Sequence, residues 1–121
     1  MALPDEKYMT ADYLKDNPTW DLEDSPWKAK RVSEFLNSQN IPSKHICEVG
    51  CGAGGVLAEL RTKYKDAVLC GYDISPHASF FWEKNINLNI EFVVGDFLKL
   101  NSRNYSLTSH LENSFVVFSR V

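Results

Sequence analysis

Apolar positions along the chain follow two different periods, and these predict helices that alternate with short strands. A helical period begins at Ser25-Pro26, where an N-cap residue precedes proline at the first helical position, and continues to Asn37. A second helix follows from Val56 to Tyr64, and a third opens at Ser75-Pro76 and ends in the Asn-rich segment 85–89. The inward residues expected in the three helices are Ala29, Val32, Phe35 and Leu36, then Val56, Leu57, Leu60 and Tyr64, then Ala78, Phe81 and Trp82.

Three short runs between these helices read as strands. They are His45–Val49, Ala67–Asp73 and Ile90–Asp96, and the second is apolar enough to be buried on both faces. Strands separated by helices of about ten residues are joined by right-handed crossovers in a parallel sheet. The sequence therefore predicts an α/β fold, with spatial order 3-2-1 if it is a nucleotide-binding half.

Composition narrows the function classes. The chain has 121 residues, enough for one domain, and a net charge of −3, without the basic excess expected of a nucleic-acid-binding domain. No apolar run is long enough for a membrane span, and the N-terminus has no secretory pattern, so we expect a cytoplasmic protein with no membrane partner. The cysteines Cys47, Cys51 and Cys70 should then be reduced, and they lack the second ligand pair of a zinc site, so no metal is expected.

Glycine is concentrated directly after the first strand. Gly50, Gly52, Gly54 and Gly55 lie between this strand and the second helix, where glycines let the backbone approach a ligand closely. The spacing of Gly50, Gly52 and Gly55 also satisfies G-x-G-x-x-G, so a dinucleotide site is an alternative. An ordinary turn is the simplest alternative.

Acidic residues lie at the carboxyl ends of all three strands, where open parallel sheets bind ligands. Asp73 could accept the hydroxyls of a ribose; the alternative is a helix cap, but Ser75 already occupies the capping position. Asp96 could accept an exocyclic amine of adenine, with Phe97 or Ile74 packed on the ring, or it could be a turn aspartate.

Glu48 directly precedes the glycines. A carboxylate there would repel a pyrophosphate but would tolerate a ligand with a cationic centre and an ammonium group. The alternative is an acid that orients the glycine loop through backbone N–H groups. This residue distinguishes the two ligand classes that the glycine spacing leaves open.

Three segments together resemble the first three motifs of the class I S-adenosylmethionine-dependent methyltransferases: 48–54, 71–75 and 94–97. The resemblance covers about residues 25–100 and implies a Rossmann-like parallel sheet that binds S-adenosyl-L-methionine. It also implies that the glycine loop holds the methionine part of this cofactor, that Asp73 binds the ribose and that Asp96 binds the adenine. It implies in-line methyl transfer, in which the protein mainly supplies proximity and orientation, and it assigns no catalytic residue. The expected cofactor-binding residues are Glu48, Gly50, Cys51, Gly52, Gly54, Asp73, Ile74, Asp96 and Phe97.

The family has a seven-stranded sheet, and this chain departs from it after Asp96. We divide the chain into a lead-in or cap (1–24), a βαβαβ cofactor-binding half (25–100) and an atypical C-terminal segment (101–121) that replaces or shortens the rest of the domain. Trp20 and Trp27 resemble part of the N-terminal helical cap of some members. The fold therefore looks truncated to the first three or four strands.

Two interpretations of the C-terminal segment remain open. In one, the fourth strand is deleted, the segment from His110 resembles the tail of a family motif, and the first strand becomes an exposed edge. In the other, 115–119 is a substitute strand.

Three functions follow from these observations. The first is a methyltransferase in a truncated form that is weakly active or inactive by itself, with an unassigned methyl acceptor. The second is a fragment of an NAD-dependent oxidoreductase. The third is a non-catalytic remnant that binds a cofactor or a partner.

Overall fold

The computed structural model describes residues 22–40, 44–101 and 115–119. The expected cap with Trp20 and the motif at His110 lie outside these residues. None of the helices in the described segments is long and apolar enough to cross a membrane. The elements in chain order are a 3₁₀ turn (Leu22–Asp24), α1 (Ser25–Ser38), β1 (His45–Val49), α2 (Gly55–Lys63), β2 (Val68–Asp73), a long 3₁₀ helix (Pro76–Leu88), β3 (Ile90–Val94), α3 (Phe97–Asn101) and β4 (Phe115–Ser119).

The described strands form one parallel sheet in the order β3-β2-β1-β4. The predicted β-α-β-α-β arrangement and the spatial order 3-2-1 are therefore confirmed. The register pairs Cys47 of β1 with Cys70 of β2 on one side and with Val117 of β4 on the other. All strands run the same way, so their carboxyl ends share one edge of the sheet.

β4 decides between the two interpretations of the C-terminal segment. It pairs with β1 on the side away from β2, from His45↔Phe115 to Val49↔Ser119. The hypothesis that β1 is an exposed edge is wrong, and the substitute strand at 115–119 is confirmed. The aromatic and β-branched residues of this segment suit a strand beside the centre of a sheet.

The core lies between one face of the sheet and the helices α1 and α2. Ile46 and Leu69 from the sheet pack with Leu57 and Leu60 of α2 and with Leu36 of α1, and each is almost completely buried. Burial of apolar surface of this kind is the main favourable contribution to folding. This core fixes α2 against the sheet, and with it the glycine loop that connects β1 to α2.

Two predictions about burial are wrong. Phe35 is 60% exposed, because the buried face of α1 is formed by Ser25, Ala29, Ser33 and Leu36. Phe35 instead lies on the outer face in line with Trp27 and Arg31, whose guanidinium carbon is 5.1 Å from the indole centroid. Val68 is 51% exposed at the start of β2, so this strand is not buried along both faces.

The third predicted helix begins and ends where expected but is a 3₁₀ helix. Ser75 is its N-cap, with Oγ accepting from the N–H of His77 at 3.3 Å, and it ends at Leu88 before a left-handed Asn89. A 3₁₀ helix has three residues per turn, so side chains three apart lie in one row. That row places Trp82 and Asn85 on the same side of the helix.

Arg61 joins the elements at the amino ends of the strands. Its guanidinium donates to five backbone carbonyl oxygens, at distances from 2.7 to 3.2 Å. A cavity of about 660 Å³ is lined by this side chain and by the first residues of β2 and β3, including Val68 and Ile90. It lies at the edge of the sheet opposite the glycine loop. The acceptors of Arg61 are the carbonyls of Tyr64, Lys65, Ala67, Leu88 and Asn89.

Candidate functional site

Backbone hydrogen bonds tie together the loops that follow β1, β2 and β3. The N–H groups of Gly50 and Cys51 both donate to the carbonyl oxygen of Tyr72, at 2.7 and 2.9 Å. The N–H of Gly95 donates to the carbonyl oxygen of Asp73 at 2.8 Å. Because Tyr72 and Asp73 end β2, both neighbouring loops are anchored to the same two residues. The structure thus brings the three predicted segments to one place.

Asp73 lies at the centre of this arrangement and is only 7% exposed. Its Oδ2 accepts from the N–H of Gly52 at 2.8 Å, and its Oδ1 accepts from the N–H of Ser75 at 2.8 Å. The sequence predicts that Ser75 occupies the capping position and that Asp73 is left for a ligand. The structure shows both contacts: Asp73 bonds to the N–H of Ser75, and Ser75 caps the 3₁₀ helix. An ionised carboxylate has about four lone-pair sites, so two bonds leave it able to accept from a ligand as well.

Gly50 and Gly54 both have left-handed backbones, with φ of 75° and 83°, but their surroundings differ. A Cβ on Gly50 would have no heavy atom within 4 Å. A Cβ on Gly54 would lie 2.7 Å from two ring carbons of Phe92. Gly54 is therefore required for packing against β3, whereas Gly50 leaves open space beside the loop that a ligand can fill.

Gly52 is buried and is held through both of its backbone polar groups. Its N–H donates to Asp73, and its carbonyl oxygen accepts from Nε1 of Trp82 at 2.8 Å. The Trp82 ring is stacked on Phe92, with centroids 4.9 Å apart and an interplanar angle of 14°. The sequence placed Trp82 only among the inward-facing residues. One chemical signal could have indicated the contact: the indole N–H of a buried tryptophan needs a hydrogen-bond acceptor.

Glu48 is completely buried on β1, opposite Gly71 of β2 in the register. Both lie on the face of the sheet that packs against α2, where Leu57 and Cys51 occupy the space beside Gly71. The carboxylate is thus enclosed next to the glycine loop and not displayed on the surface. Its effect on ligand choice stays a prediction.

The cysteines of the site are shielded. Cys47 and Cys51 are buried, and the described structure has no disulfide at Cys47, Cys51 or Cys70. A hydrogen bond with the paired Cys70 and burial both raise the pKa of the Cys47 thiol. Neither buried thiol is placed to act as a nucleophile, because the reactive form is an accessible thiolate.

Asp96 begins α3. Its Oδ1 accepts from the N–H of Leu98 at 2.9 Å, which is the turn contact considered as an alternative. Phe97 meets Tyr72 edge to face, with centroids 5.1 Å apart at 80°, and Ile74 is half-buried directly after β2. The residues expected around an adenine therefore follow β2 and β3. Their roles toward a ligand stay predictions.

Comparison with known proteins identifies the fold and the family. The sequence profile of the family described as "Methyltransferase domain" matches residues 46–119. The similar solved structures include the plantazolicin methyltransferase BpumL in complex with a desmethylPZN analog and SAH, with a TM-score of 0.53, 23% identity and 85% of this chain covered. They also include DesVI of Streptomyces venezuelae (TM-score 0.53, 18% identity, 80% of this chain) and a putative S-adenosyl-L-methionine-dependent methyltransferase from Methanococcus maripaludis (TM-score 0.58, 17% identity, 98% of this chain). This chain spans 37%, 38% and 67% of their respective lengths. No curated protein sequence matches significantly.

The fold is thus the Rossmann-like α/β fold that the resemblance implies, with the strand order of a nucleotide-binding half. The chain belongs to the methyltransferase-domain family, whose profile covers more than half of it.

Proposed function

We propose that this chain binds S-adenosylmethionine and is the cofactor-binding part of a methyltransferase. The observation that carries the proposal is the mutual anchoring of three strand ends: Tyr72 and Asp73 of β2 receive hydrogen bonds from the loops after β1 and β3. A ligand that spans a methionine, a ribose and an adenine needs contacts from several neighbouring loops at the carboxyl edge of a parallel sheet. The SAH complexes of the structural neighbour BpumL agree with this ligand class.

Each loop has a distinct role in the proposal. The glycine loop receives the methionine part through the open space at Gly50, Asp73 accepts the ribose hydroxyls, and Asp96 accepts the adenine amine. Ile74 and Phe97 flank the ring. The bound cofactor supplies a methyl group that its sulfonium already activates, so the chain's own contribution is to bind, orient and exclude water.

Electrostatics favours this ligand over a dinucleotide. Glu48 is enclosed beside the glycine loop, and a second carboxylate, Asp73, bonds to that loop directly. Two acids at the loop oppose a pyrophosphate and suit an ammonium group and a sulfonium. Gly55, the third glycine of the dinucleotide pattern, is required for close packing, because a Cβ there would overlap Ser25 and Leu22, and such packing is compatible with either ligand class.

The domain division follows the same logic. We assign the cofactor site to residues 25–100, a lead-in or cap to 1–24, and an atypical completion of the sheet to 101–121, which includes β4. That Cys47, Cys51 and Cys70 form no disulfide in the described structure fits a cytoplasmic location. The methyl acceptor is left unassigned, and weak or absent turnover by this chain alone remains the expectation for a methyl-transfer assay.

Calorimetric titration of the chain with S-adenosylhomocysteine, S-adenosylmethionine and NAD tests the ligand class. We expect binding of the first two and a matching rise in melting temperature, because a ligand that binds only the folded state stabilises it by about 2.7 kcal/mol at a hundred times its Kd. Binding of NAD without binding of S-adenosylhomocysteine would refute the proposal in favour of an oxidoreductase fragment. Binding of neither would favour a non-catalytic interaction module.

Two variants then test the residue roles. Asp73→Asn should abolish binding. The two carboxylate oxygens of Asp73 accept from the N–H groups of Gly52 and Ser75, and the ribose hydroxyls need further acceptor sites, whereas an amide has only one acceptor oxygen. Asp96→Asn keeps an oxygen for the N–H of Leu98 but removes the charge, so we expect about 3- to 10-fold weaker binding. Asp66→Asn, an exposed acid after α2, is the matched control and should bind normally.

A further inference from the structure

We propose that Trp82 is a positioning residue for cofactor binding, acting through its indole N–H on the carbonyl of Gly52. The proposal rests on the proposed function, since the ligand is the one assigned there. Trp82 comes from the 3₁₀ helix after β2, 30 positions along the chain from the glycine it holds. Its role is to keep the glycine loop in its ligand-receiving shape before the ligand arrives.

The two bonds to Gly52 act on different peptide groups. Its N–H, bonded to Asp73, belongs to the peptide before the residue, and its carbonyl, bonded to Trp82, belongs to the peptide after it. Rotation about either backbone dihedral of Gly52 would therefore break one of the bonds. Glycine has the greatest backbone freedom of any residue, so this is the position where such a double restraint changes the loop most.

Trp82 is itself held in place. Its ring stacks on Phe92 of β3, and the same Phe92 ring fills the space beside Gly54. Asn85, one 3₁₀ turn after Trp82, approaches Gly54 as well, with Nδ2 3.5 Å from where a Cβ would be. The glycine loop is thus closely packed by side chains on the side of β3 and has open space at Gly50.

This arrangement predicts an effect on affinity and not only on stability. A loop that is ordered in the free protein loses less entropy when the ligand binds. Without the indole N–H, the carbonyl of Gly52 is left without this donor and the loop can sample other conformations. The ligand then binds only the fraction of molecules whose loop is in the ordered conformation. Its apparent Kd rises in proportion as that fraction falls.

The sharpest test replaces one atom group. Trp82→3-benzothienyl-alanine, introduced by codon suppression in the full chain, puts sulfur in place of N–H and keeps the ring shape that stacks on Phe92. We expect the Kd for S-adenosylhomocysteine to rise about 3- to 10-fold, the worth of one hydrogen bond, with faster amide exchange at Gly52 and Ala53. The same replacement at Trp27, which is exposed on α1, is the control and should change neither quantity.

The outcomes separate the two proposals. If the variant binds S-adenosylhomocysteine within twofold of the unmodified chain, or if amide exchange at Gly52 is unchanged, the positioning role is refuted. If the unmodified chain binds no S-adenosylhomocysteine, the proposed function fails, and the positioning role toward that ligand fails with it, although faster exchange would still show the restraint on the loop. A lower melting temperature with unchanged Kd would show a purely structural role and would also overturn the proposal.

Discussion

Alanine at Gly54 and at Gly50 should affect the protein very differently, although both replace a left-handed glycine in the same loop. A non-glycine residue in the left-handed conformation costs about 1–2 kcal/mol, and this applies to both variants. Gly54→Ala also drives a Cβ to 2.7 Å from two carbons of the Phe92 ring. The Cβ of Gly50→Ala meets nothing within 4 Å.

The magnitudes follow from these contacts. Alanine stiffens the unfolded chain and returns about 0.4–1 kcal/mol, so Gly50→Ala should lower the free energy of unfolding by only about 1 kcal/mol. Overpacking against a stacked ring costs a further 1–3 kcal/mol, so Gly54→Ala should lower it by about 2–4 kcal/mol. Phe92 cannot easily yield, because Trp82 lies on its face.

Urea denaturation followed by circular dichroism measures both losses, with the slope m checked for two-state behaviour. Phe92→Leu combined with Gly54→Ala should recover part of the loss, since the smaller side chain frees the contact, and the double-mutant cycle isolates that coupling. Titration with S-adenosylhomocysteine should show the reverse order, with Gly50→Ala the more damaging of the two for affinity. Equal losses of stability in the two variants, or no coupling to Phe92, would refute the packing argument.

Two further predictions concern stability away from the loop. Arg61→Lys should lower the free energy of unfolding by about 1–2 kcal/mol in the same urea assay, because an ammonium group cannot donate to all five carbonyls that the planar guanidinium reaches. The control is Lys63→Ala, a change at an exposed residue of the same helix, which should alter the free energy of unfolding little. The hydrogen bond between Cys47 and Cys70 raises the pKa of the Cys47 thiol and lowers that of the Cys70 thiol. Above the ordinary pKa of 9.0 the unfolded chain has lost both thiol protons whereas folded Cys47 keeps its own, so stability should fall there by up to about 1.4 kcal/mol per pH unit. Unfolding measured from pH 9.5 to 10.5 should show that Cys47→Ala lacks this fall.

The order of elements and the convergence of the three loops could be predicted because their signals are local. Each strand is a short apolar run that ends in a glycine or an acid, and parallel strands place such ends on one edge. The same reasoning failed at Phe35, where hydrophobicity alone chose the inward face of α1. The helix instead buries Ser25, Ala29, Ser33 and Leu36, so its inward face includes two serines that hydrophobicity alone would place outside.

Contacts between distant segments were beyond the sequence patterns. The bond from Trp82 to Gly52 depends on the 3₁₀ geometry of a segment whose apolar spacing predicts only a helix. The bond from the N–H of Ser75 to Asp73 corresponds to the cap alternative that the sequence disfavours, because one capping residue does not exclude a second acceptor in the same turn. The sequence could not decide whether 115–119 forms a strand of the sheet, because its composition allows strand pairing but does not indicate which strand it pairs with.

The pairing of β4 with β1 has a consequence for biosynthesis. His45 lies opposite Phe115, roughly 70 residues later, so this ladder is the least local of those in the described residues. During translation β1, β2 and β3 are made well before β4, so one side of β1 has no partner until β4 has left the ribosome. Closing so long a loop is slow, and an unpaired strand edge attracts foreign strands, so the nascent chain is most prone to aggregation in this interval.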